Sequence, residues 1–195
     1  MIYIKTYNSP KINKKEILRY AGVANADEGT LLLVDRLIDE TANIFSYKVC
    51  YNRYPVSVLG DEIDLGFART RSHSLAICLK ECDEIILFCA TVGAEIDRHI
   101  KRQSVISPSS AVVLQAFGSE RVEALCDTFC NDMANEMKRS LRPRFSPGYG
   151  DLTLEIQRDI FFCLNPSKIG VALSDNLFMT PSKTVTAIIG IKKEF

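Results

Sequence analysis

The sequence lacks an excess of charge of either sign. Lys and Arg together number 24, as do Asp and Glu, so the formal net charge of the 195 residues is zero. Proteins that bind nucleic acid phosphates usually carry a basic stripe or patch on one face. The even balance therefore predicts that nucleic acid is not a partner of this chain.

A long apolar run is also missing. The longest, IILFCATVGA at residues 85–94, is about half as long as the roughly 20 residues that cross a bilayer, and it predicts a buried strand. The start of the chain, MIYIKTYNSPKINKKE, becomes polar after a few residues and does not indicate a secretory signal. We therefore expect a cytoplasmic protein with no membrane partner.

The seven cysteines are an odd number, and without a secretory signal they predict reduced thiols. Cys78 and Cys82, and likewise Cys126 and Cys130, have a spacing that places each pair on one helix face. Structural zinc usually takes closely spaced cysteines from tight turns, whereas these lie in the apolar helical stripes LAICL and LCDTFC. Because Cys buries readily as a small hydrophobe, packing is favoured over a metal site.

Residues for acid-base or nucleophilic catalysis are scarce. The only two histidines, His73 and His99, do not stand in a known catalytic signature. The segment CATVGAEID has the strand and helix flanks of a phosphate-binding loop but only a single glycine. We therefore assign no catalytic side chain and no metal ligand.

The hydrophobic pattern predicts strands at both ends of the chain and several helices between them. Predicted strands lie at 2–6, 47–51, 54–59, 62–67, 84–93, 169–179 and 184–191. Predicted helices lie at 13–22, 30–45, 72–82, 108–141 and 151–164. This order favours a single mixed α+β domain over residues 1–195 rather than a regular β-α-β alternation.

Several details of these elements are also predicted. Asn13 and Ser72 are expected to cap the helices that follow them, and Asp151 is expected to cap the helix at 151–164. Gly118 is expected to break or kink the long helix. The two last strands, both β-branched and without helical period, are expected to pair with each other.

The most distinctive segment is RPRFSPGYGD, residues 142–151. Within it, Ser146–Tyr149 fits a type II turn, because proline presets the first central position and Gly148 accepts the positive φ of the second. Gly150 would let a ligand lie against the backbone. The helix start that follows would add free N–H groups beside the turn.

Two side chains of this segment suit a small ligand. Arg144 can form a two-pronged pair with a carboxylate, and the ring of Tyr149 offers a flat surface for a purine. Together with the turn they would recognise a zwitterion that carries a carboxylate and a flat heterocycle. A plain helix-to-helix connection with solvated arginines explains the same residues equally well, because turn residues dominate ordinary loops too.

The segment RFSPGYGD resembles the Arg-x-x-x-Gly-Tyr motif of the activation domain of cobalamin-dependent methionine synthase, the module that binds S-adenosylmethionine. LSDNLFMTPSKTVTAIIGI is similar to the closing Met-x-Pro-x-x-Ser-Val-Ser strand of that domain, and GSERVEALCDTFCNDMANEMK to the long helix before the motif. NKKEILRYAG resembles free-standing bacterial versions of the domain. The resemblance touches most of the chain and is specific mainly from residue 118 onward.

This resemblance implies an α+β fold around a twisted antiparallel sheet and a role in methionine biosynthesis. In the family, inert cob(II)alamin is rescued by reductive methylation, with one electron from flavodoxin or another low-potential donor and a methyl group from S-adenosylmethionine. The chain would act as a methyltransferase component on a methionine synthase that lacks its own activation domain. The partner would hold the cobalamin, because the Asp-x-His-x-x-Gly arrangement that ligates cobalt in corrinoid proteins occurs nowhere in this sequence.

The resemblance also assigns site residues. Arg144 would pair with the methionine carboxylate of S-adenosylmethionine, and Thr184 would belong to the wall that faces the corrinoid. The adenosine side would be lined by the turn residues Pro147, Gly148, Tyr149 and Gly150. Where the long helix of the family supplies a glutamate near the ligand, this sequence has Asn131, with Asp132 beside it.

Two departures from the family leave alternatives open. Asn131 would make a weaker contact to the ammonium group of the ligand than a glutamate, and a tyrosine-containing stretch beyond the last strand of the family has no counterpart before Phe195. One alternative is a non-enzymatic adaptor that docks on a corrinoid protein without using the nucleotide ligand. The other is a reactivator of a different corrinoid methyltransferase.

Overall fold

An antiparallel sheet of four strands lies in the middle of the structure, a computed structural model that describes residues 1–193. The strands are β1 (Tyr3–Tyr7), β2 (Tyr47–Pro55), β3 (Ser57–Leu59), β4 (Glu62–Asp64), β5 (Arg69–Arg71), β6 (Cys82–Thr91), β7 (Ala172–Leu173), β8 (Met179–Thr180) and β9 (Thr184–Lys192). The central sheet has the order β1-β2-β6-β9. Strands β3-β4-β5 and β7-β8 form two small antiparallel sheets beside it.

Helices cover both faces of the central sheet. They are α1 (Lys14–Tyr20), α2 (Glu28–Thr41), α3 (His73–Cys78), α4 (Glu95–Ile106), α5 (Pro108–Met137) and α6 (Gln157–Leu164), with short 3-10 turns at Ala42–Ile44, Leu154–Ile156 and Pro166–Ile169. The two predicted caps of α1 and α3 are confirmed. Asn13 accepts from the amides of Lys15 and Glu16, and the Ser72 hydroxyl accepts from the amide of Leu75.

Strand β6 separates two hydrophobic cores. Successive side chains of a strand point to opposite faces of the sheet, so Ile86 and Phe88 pack with α1, α2, α4 and α5, whereas Leu87 and Cys89 pack with α3 and α6. All four side chains are fully buried. This arrangement confirms the predicted buried strand and the α+β fold, an antiparallel sheet flanked by helices.

The predicted break of the long helix at Gly118 was wrong. Helix α5 runs through this position as one helix of 30 residues. A Cβ at Gly118 would lie 3.0 Å from the side chain of Lys183, whose Nζ donates to Ser119 Oγ at 3.0 Å. The glycine makes room for the segment that carries Lys183. Packing of α5 on the sheet outweighs the cost of glycine in a helix interior, which is about 1 kcal/mol relative to alanine.

The predicted pairing of the last two strand segments was also wrong. Residues 169–179 do not form one strand but contribute to the short hairpin of β7 and β8. Strand β9 instead pairs with β6, with Ile188 opposite Leu87. The apolar β9 gains more burial in the middle of the molecule than it would against the polar hairpin.

The cysteines are all free thiols, and the two spaced pairs behave differently. Cys78 ends α3 and Cys82 begins β6, so they do not share a helix face as predicted. Cys126 and Cys130 both lie on α5. Cys126 is fully buried in the core, and Cys130 is partly buried and packs against that core. Within residues 1–193 no group of three or more His, Cys, Asp or Glu side chains is placed to hold a metal ion.

In the described part of the chain, every helix is too short or too polar to cross a membrane.

Candidate functional site

The predicted type II turn at Ser146–Tyr149 is confirmed. The amide of Tyr149 donates to the carbonyl of Ser146 at 3.2 Å, and Gly148 has a φ of +88°. The chain before the turn is attached to the sheet, because Phe145 exchanges backbone hydrogen bonds of 2.8 and 2.9 Å with Ile188 of β9. The turn therefore has a defined position beside the last strand.

The side chain of Asp151 attaches the turn to α3. It accepts from Ser72 Oγ at 2.6 Å, from the His73 amide at 2.7 Å and from the Ser74 amide at 3.1 Å. These bonds, the one from Ser72 foremost, hold the pKa of the Asp151 carboxyl below its usual range. The prediction that Asp151 caps the helix following it in sequence was wrong, because α6 begins only at Gln157. Asp151 instead bonds to the start of α3, whose cap is Ser72.

Gly150 serves the same attachment. Its φ is +55°, and a Cβ there would lie 2.6 Å from Ser74 Oγ. The absence of a side chain thus lets the turn approach the N-terminus of α3. This contact between the turn and α3 explains the glycine without a ligand, and so competes with the interpretation that Gly150 makes room for one.

Arg144 lies across one turn of α5. Its Nη1 donates to Asp127 Oδ1 at 2.5 Å and its Nη2 donates to Glu123. Burial alone would lower the pKa of Arg144, but the hydrogen bond to Asp127 and the nearby carboxylates raise it above its usual value. The guanidinium, with a side chain that is 26% exposed, is a fixed cation with two carboxylate partners.

A groove of about 320 Å³, which we name the turn groove, opens between the turn, α5 and β9. The exposed ring of Tyr149 stands at one side, and the buried Thr184, whose hydroxyl donates to Thr91 Oγ1 at 3.0 Å, at another. The Gln157 amide oxygen accepts from Thr186 at 2.9 Å in the same wall. The complete lining is Glu123, Arg144, Ser146, Pro147, Tyr149, Gln157, Met179, Thr184, Val185 and Thr186.

A second groove of about 580 Å³, the helix groove, lies between α1 and α5. Arg144 and Glu123 line both grooves and so form the partition between them. Asp127 lines only the helix groove. The Arg144–Glu123 ion pair therefore lies within reach of a ligand in the turn groove.

A buried ion pair holds the chain before α1 against α5. The Arg121 side chain is fully buried and donates to Glu120 at 2.6 Å, to the Pro10 carbonyl at 2.6 Å and to the Lys11 carbonyl at 2.9 Å. Glu120 also accepts from the Asn13 amide at 3.0 Å. These bonds satisfy both charges and shape the wall of the helix groove.

The structure brings together part of the predicted site. Arg144, Pro147, Tyr149 and Thr184 all line the turn groove. Gly148 and Gly150 shape the turn without lining the groove, and Asn131 is exposed on α5 and does not line it. The ligand roles of these residues stay predictions.

Sequence reasoning missed Glu123 and Asp127. The two residues are four apart on one helix, a spacing that places both carboxylates on the same face. That spacing was the available signal, although it is equally typical of a solvated helix face. Only the approach of Arg144 from a separate segment distinguishes these two carboxylates from those of a solvated helix face.

Comparisons with known proteins support the fold. No protein-family model matches the chain, and no curated protein matches it in sequence. Among solved structures it is similar to one described as the MetH reactivation domain bound to AdoHcy. The TM-score is 0.68 at 13% identity, over 100% of this chain and 80% of that one. The fold is therefore that of the MetH reactivation domain.

Proposed function

We propose that the chain binds S-adenosylmethionine in the turn groove and serves as a reactivation partner of a cobalamin-dependent methionine synthase. The observation that carries the proposal is the Arg144–Glu123 ion pair at the edge of a groove that also holds the exposed ring of Tyr149. The solved neighbour of the same fold is described with bound AdoHcy, a close analogue of S-adenosylmethionine.

The charges and shape of the groove suit this ligand. Arg144 would bind the carboxylate of its methionine part, and Glu123 would accept from its ammonium group, the role for which the sequence suggested Asn131. The ring of Tyr149 would stack on the adenine. The volume of about 320 Å³ lies at the lower end of the roughly 300–1,000 Å³ typical of small-molecule pockets.

The contribution of the protein would be placement. The bound ligand would supply a methyl group to a cobalamin that the partner holds and that a donor such as flavodoxin reduces. Within the described chain the groove lining includes no histidine or cysteine. Arg144 and the turn would hold the ligand so that its sulfonium methyl faces the partner, and such orientation lowers the barrier without proton transfer.

Calorimetry tests the ligand. Native protein is expected to bind S-adenosylmethionine, and Arg144→Ala to bind it at least tenfold more weakly, because a charge-assisted hydrogen bond contributes about 1.5–3 kcal/mol. Arg158→Ala is the matched control, because this arginine is exposed on α6 and does not line the groove. Equal affinity in all three proteins, or no binding by native protein, contradicts the proposal.

A reconstitution tests the partner. The chain is mixed with a methionine synthase that lacks an activation domain, its inactive cob(II)alamin, reduced flavodoxin and S-adenosylmethionine. Recovery of activity in the presence of native protein, but not of Arg144→Ala, is expected.

The carboxylates already bound to Arg144 favour one alternative, an adaptor that does not use the ligand. Capture of a corrinoid protein with no ligand-induced rise in Tm would support that alternative.

A further inference from the structure

The two carboxylates that contact Arg144 differ in position. Glu123 bonds to Nη2 and lines both grooves, whereas Asp127 bonds to Nη1 and lines only the helix groove. A ligand in the turn groove can therefore approach the Nη2 side of the guanidinium, while Asp127 stays on the far side. The two acids are close in sequence but not equivalent.

Asp127 restricts how Glu123 binds Arg144. A carboxylate facing a free guanidinium prefers two parallel hydrogen bonds, one from each of two nitrogens. Because Asp127 occupies Nη1, Glu123 contacts Arg144 through Nη2 in the described structure. Without Asp127, Glu123 could take both nitrogens, and a ligand carboxylate would displace it from Nη2 less readily.

The single contact of Glu123 makes an exchange of partners feasible. A ligand carboxylate at Nη2 would displace Glu123, and an ammonium group on the same ligand would then pair with the released Glu123. Every charge keeps a partner in this exchange. A ligand with only a carboxylate would leave Glu123 unpaired in a partly buried position, which is costly.

We propose that Asp127 is a positioning residue, which reserves the groove-facing nitrogen of Arg144 for the carboxylate of a zwitterionic ligand. The site thereby selects ligands that carry both a carboxylate and an ammonium group. This inference rests on the proposed function, because it assumes that the ligand binds in the turn groove. It goes beyond that proposal by assigning selectivity to a residue outside the groove.

The experiment compares two ligands by calorimetry. One is S-adenosylmethionine, and the other is its decarboxylated analogue, which keeps the adenosine, the sulfonium and the ammonium. Native protein is expected to prefer the first. Asp127→Asn is expected to weaken binding of S-adenosylmethionine about tenfold, because a neutral amide holds Nη1 less strongly than a carboxylate does and lets Glu123 take both nitrogens. It is expected to leave binding of the analogue unchanged. Asp127→Glu is expected to restore most of the preference.

Controls separate positioning from folding. The Asp127 side chain is 67% exposed, so each variant is expected to keep the native Tm. Asp39→Asn, a change of the same kind at an exposed position of α2, is expected to bind both ligands as the native protein does. A loss for both ligands in Asp127→Asn would indicate a general structural role and overturn the inference.

The remaining outcomes distinguish the inference from the proposed function. If native protein binds neither ligand, or binds both equally, then Arg144 does not recognise a ligand carboxylate and both fail. If native protein prefers S-adenosylmethionine and Asp127→Asn keeps the same preference, only the inference fails. A preference that Asp127→Asn abolishes and Asp127→Glu restores supports both.

Discussion

The carboxylate of Asp151 accepts a hydrogen bond of 2.6 Å from Ser72 Oγ, across 79 positions of sequence. This contact joins the turn that carries Tyr149 to the start of α3. Together with the Phe145–Ile188 hydrogen bonds to the sheet, it holds the turn in place and contributes to the shape of the turn groove. The geometry of the candidate site therefore depends on a residue that does not line it.

Replacement of Asp151 should affect both stability and binding. Asp151→Ala removes the acceptor of three hydrogen bonds, so we expect a lower Tm and weaker binding of S-adenosylmethionine. Asp175→Ala is the control, because the Asp175 side chain is exposed and, among residues 1–193, only its backbone carbonyl accepts a bond, from Arg158. Thermal melts and calorimetry on the same preparations measure both effects. An unchanged Tm in Asp151→Ala would contradict this account.

The same carboxylate predicts a pH dependence. The pKa of Asp151 is lowered in the folded state, so the unfolded chain binds the proton first. The stabilising contribution is present above the ordinary carboxyl pKa of about 4 and is lost as the pH falls below it. Tm measured from pH 6 downward should fall less steeply in Asp151→Asn than in native protein. Parallel curves would show that Asp151 does not contribute to acid sensitivity.

Two glycines allow the cost of backbone strain to be separated from that of a steric clash. Gly150 and Gly60 have similar φ values of +55° and +61°, but a Cβ at Gly60 would meet nothing within 4 Å. Gly60→Ala should cost about 1–2 kcal/mol, from the left-handed conformation alone. Gly150→Ala should cost more, because it also disturbs Ser74. Denaturant titrations compare the two, and equal losses would contradict the packing described here.

Tyr149 should contribute to binding without contributing to stability. Tyr149 is 67% exposed and lines the turn groove. Tyr149→Ala should weaken binding of S-adenosylmethionine about tenfold, because stacking of a base on an aromatic ring contributes about 1–3 kcal/mol, and Tm should stay unchanged. Phe162→Ala, at a position 92% exposed on α6, is the control. An affinity equal to the native value would show that the adenine lies elsewhere.

The buried pair of Glu120 and Arg121 should be the most sensitive to substitution. Arg121→Met leaves the buried Glu120 carboxylate without its cation, a change that typically costs about 3–5 kcal/mol. Arg98→Met, which breaks an exposed pair with Glu95, should change stability little. Chemical denaturation measures the difference between the two variants. Similar losses would indicate that the chain before α1 is not held by this pair.

Local patterns in the sequence were sufficient for most elements of the fold. The caps Asn13 and Ser72, the strand over 84–93 and the type II turn all depend on neighbouring residues, and all were predicted. The partner of β9 was not predicted, because strand propensity does not identify the strand that lies beside it. The break expected at Gly118 was wrong for a related reason, because the missing side chain makes room for Lys183 from a distant segment.

The sequence by itself determined the mixed α+β fold, the buried central strand and the turn with its arginine, because periodicity, proline and glycine act over a few residues. Tertiary structure alone decided that Asp151 would bond to the start of α3, that Glu123 and Asp127 would meet Arg144, and that one ion pair would divide two grooves. Those relationships join segments far apart in the chain. They arise only when the segments pack on the same sheet, and no local pattern records that packing.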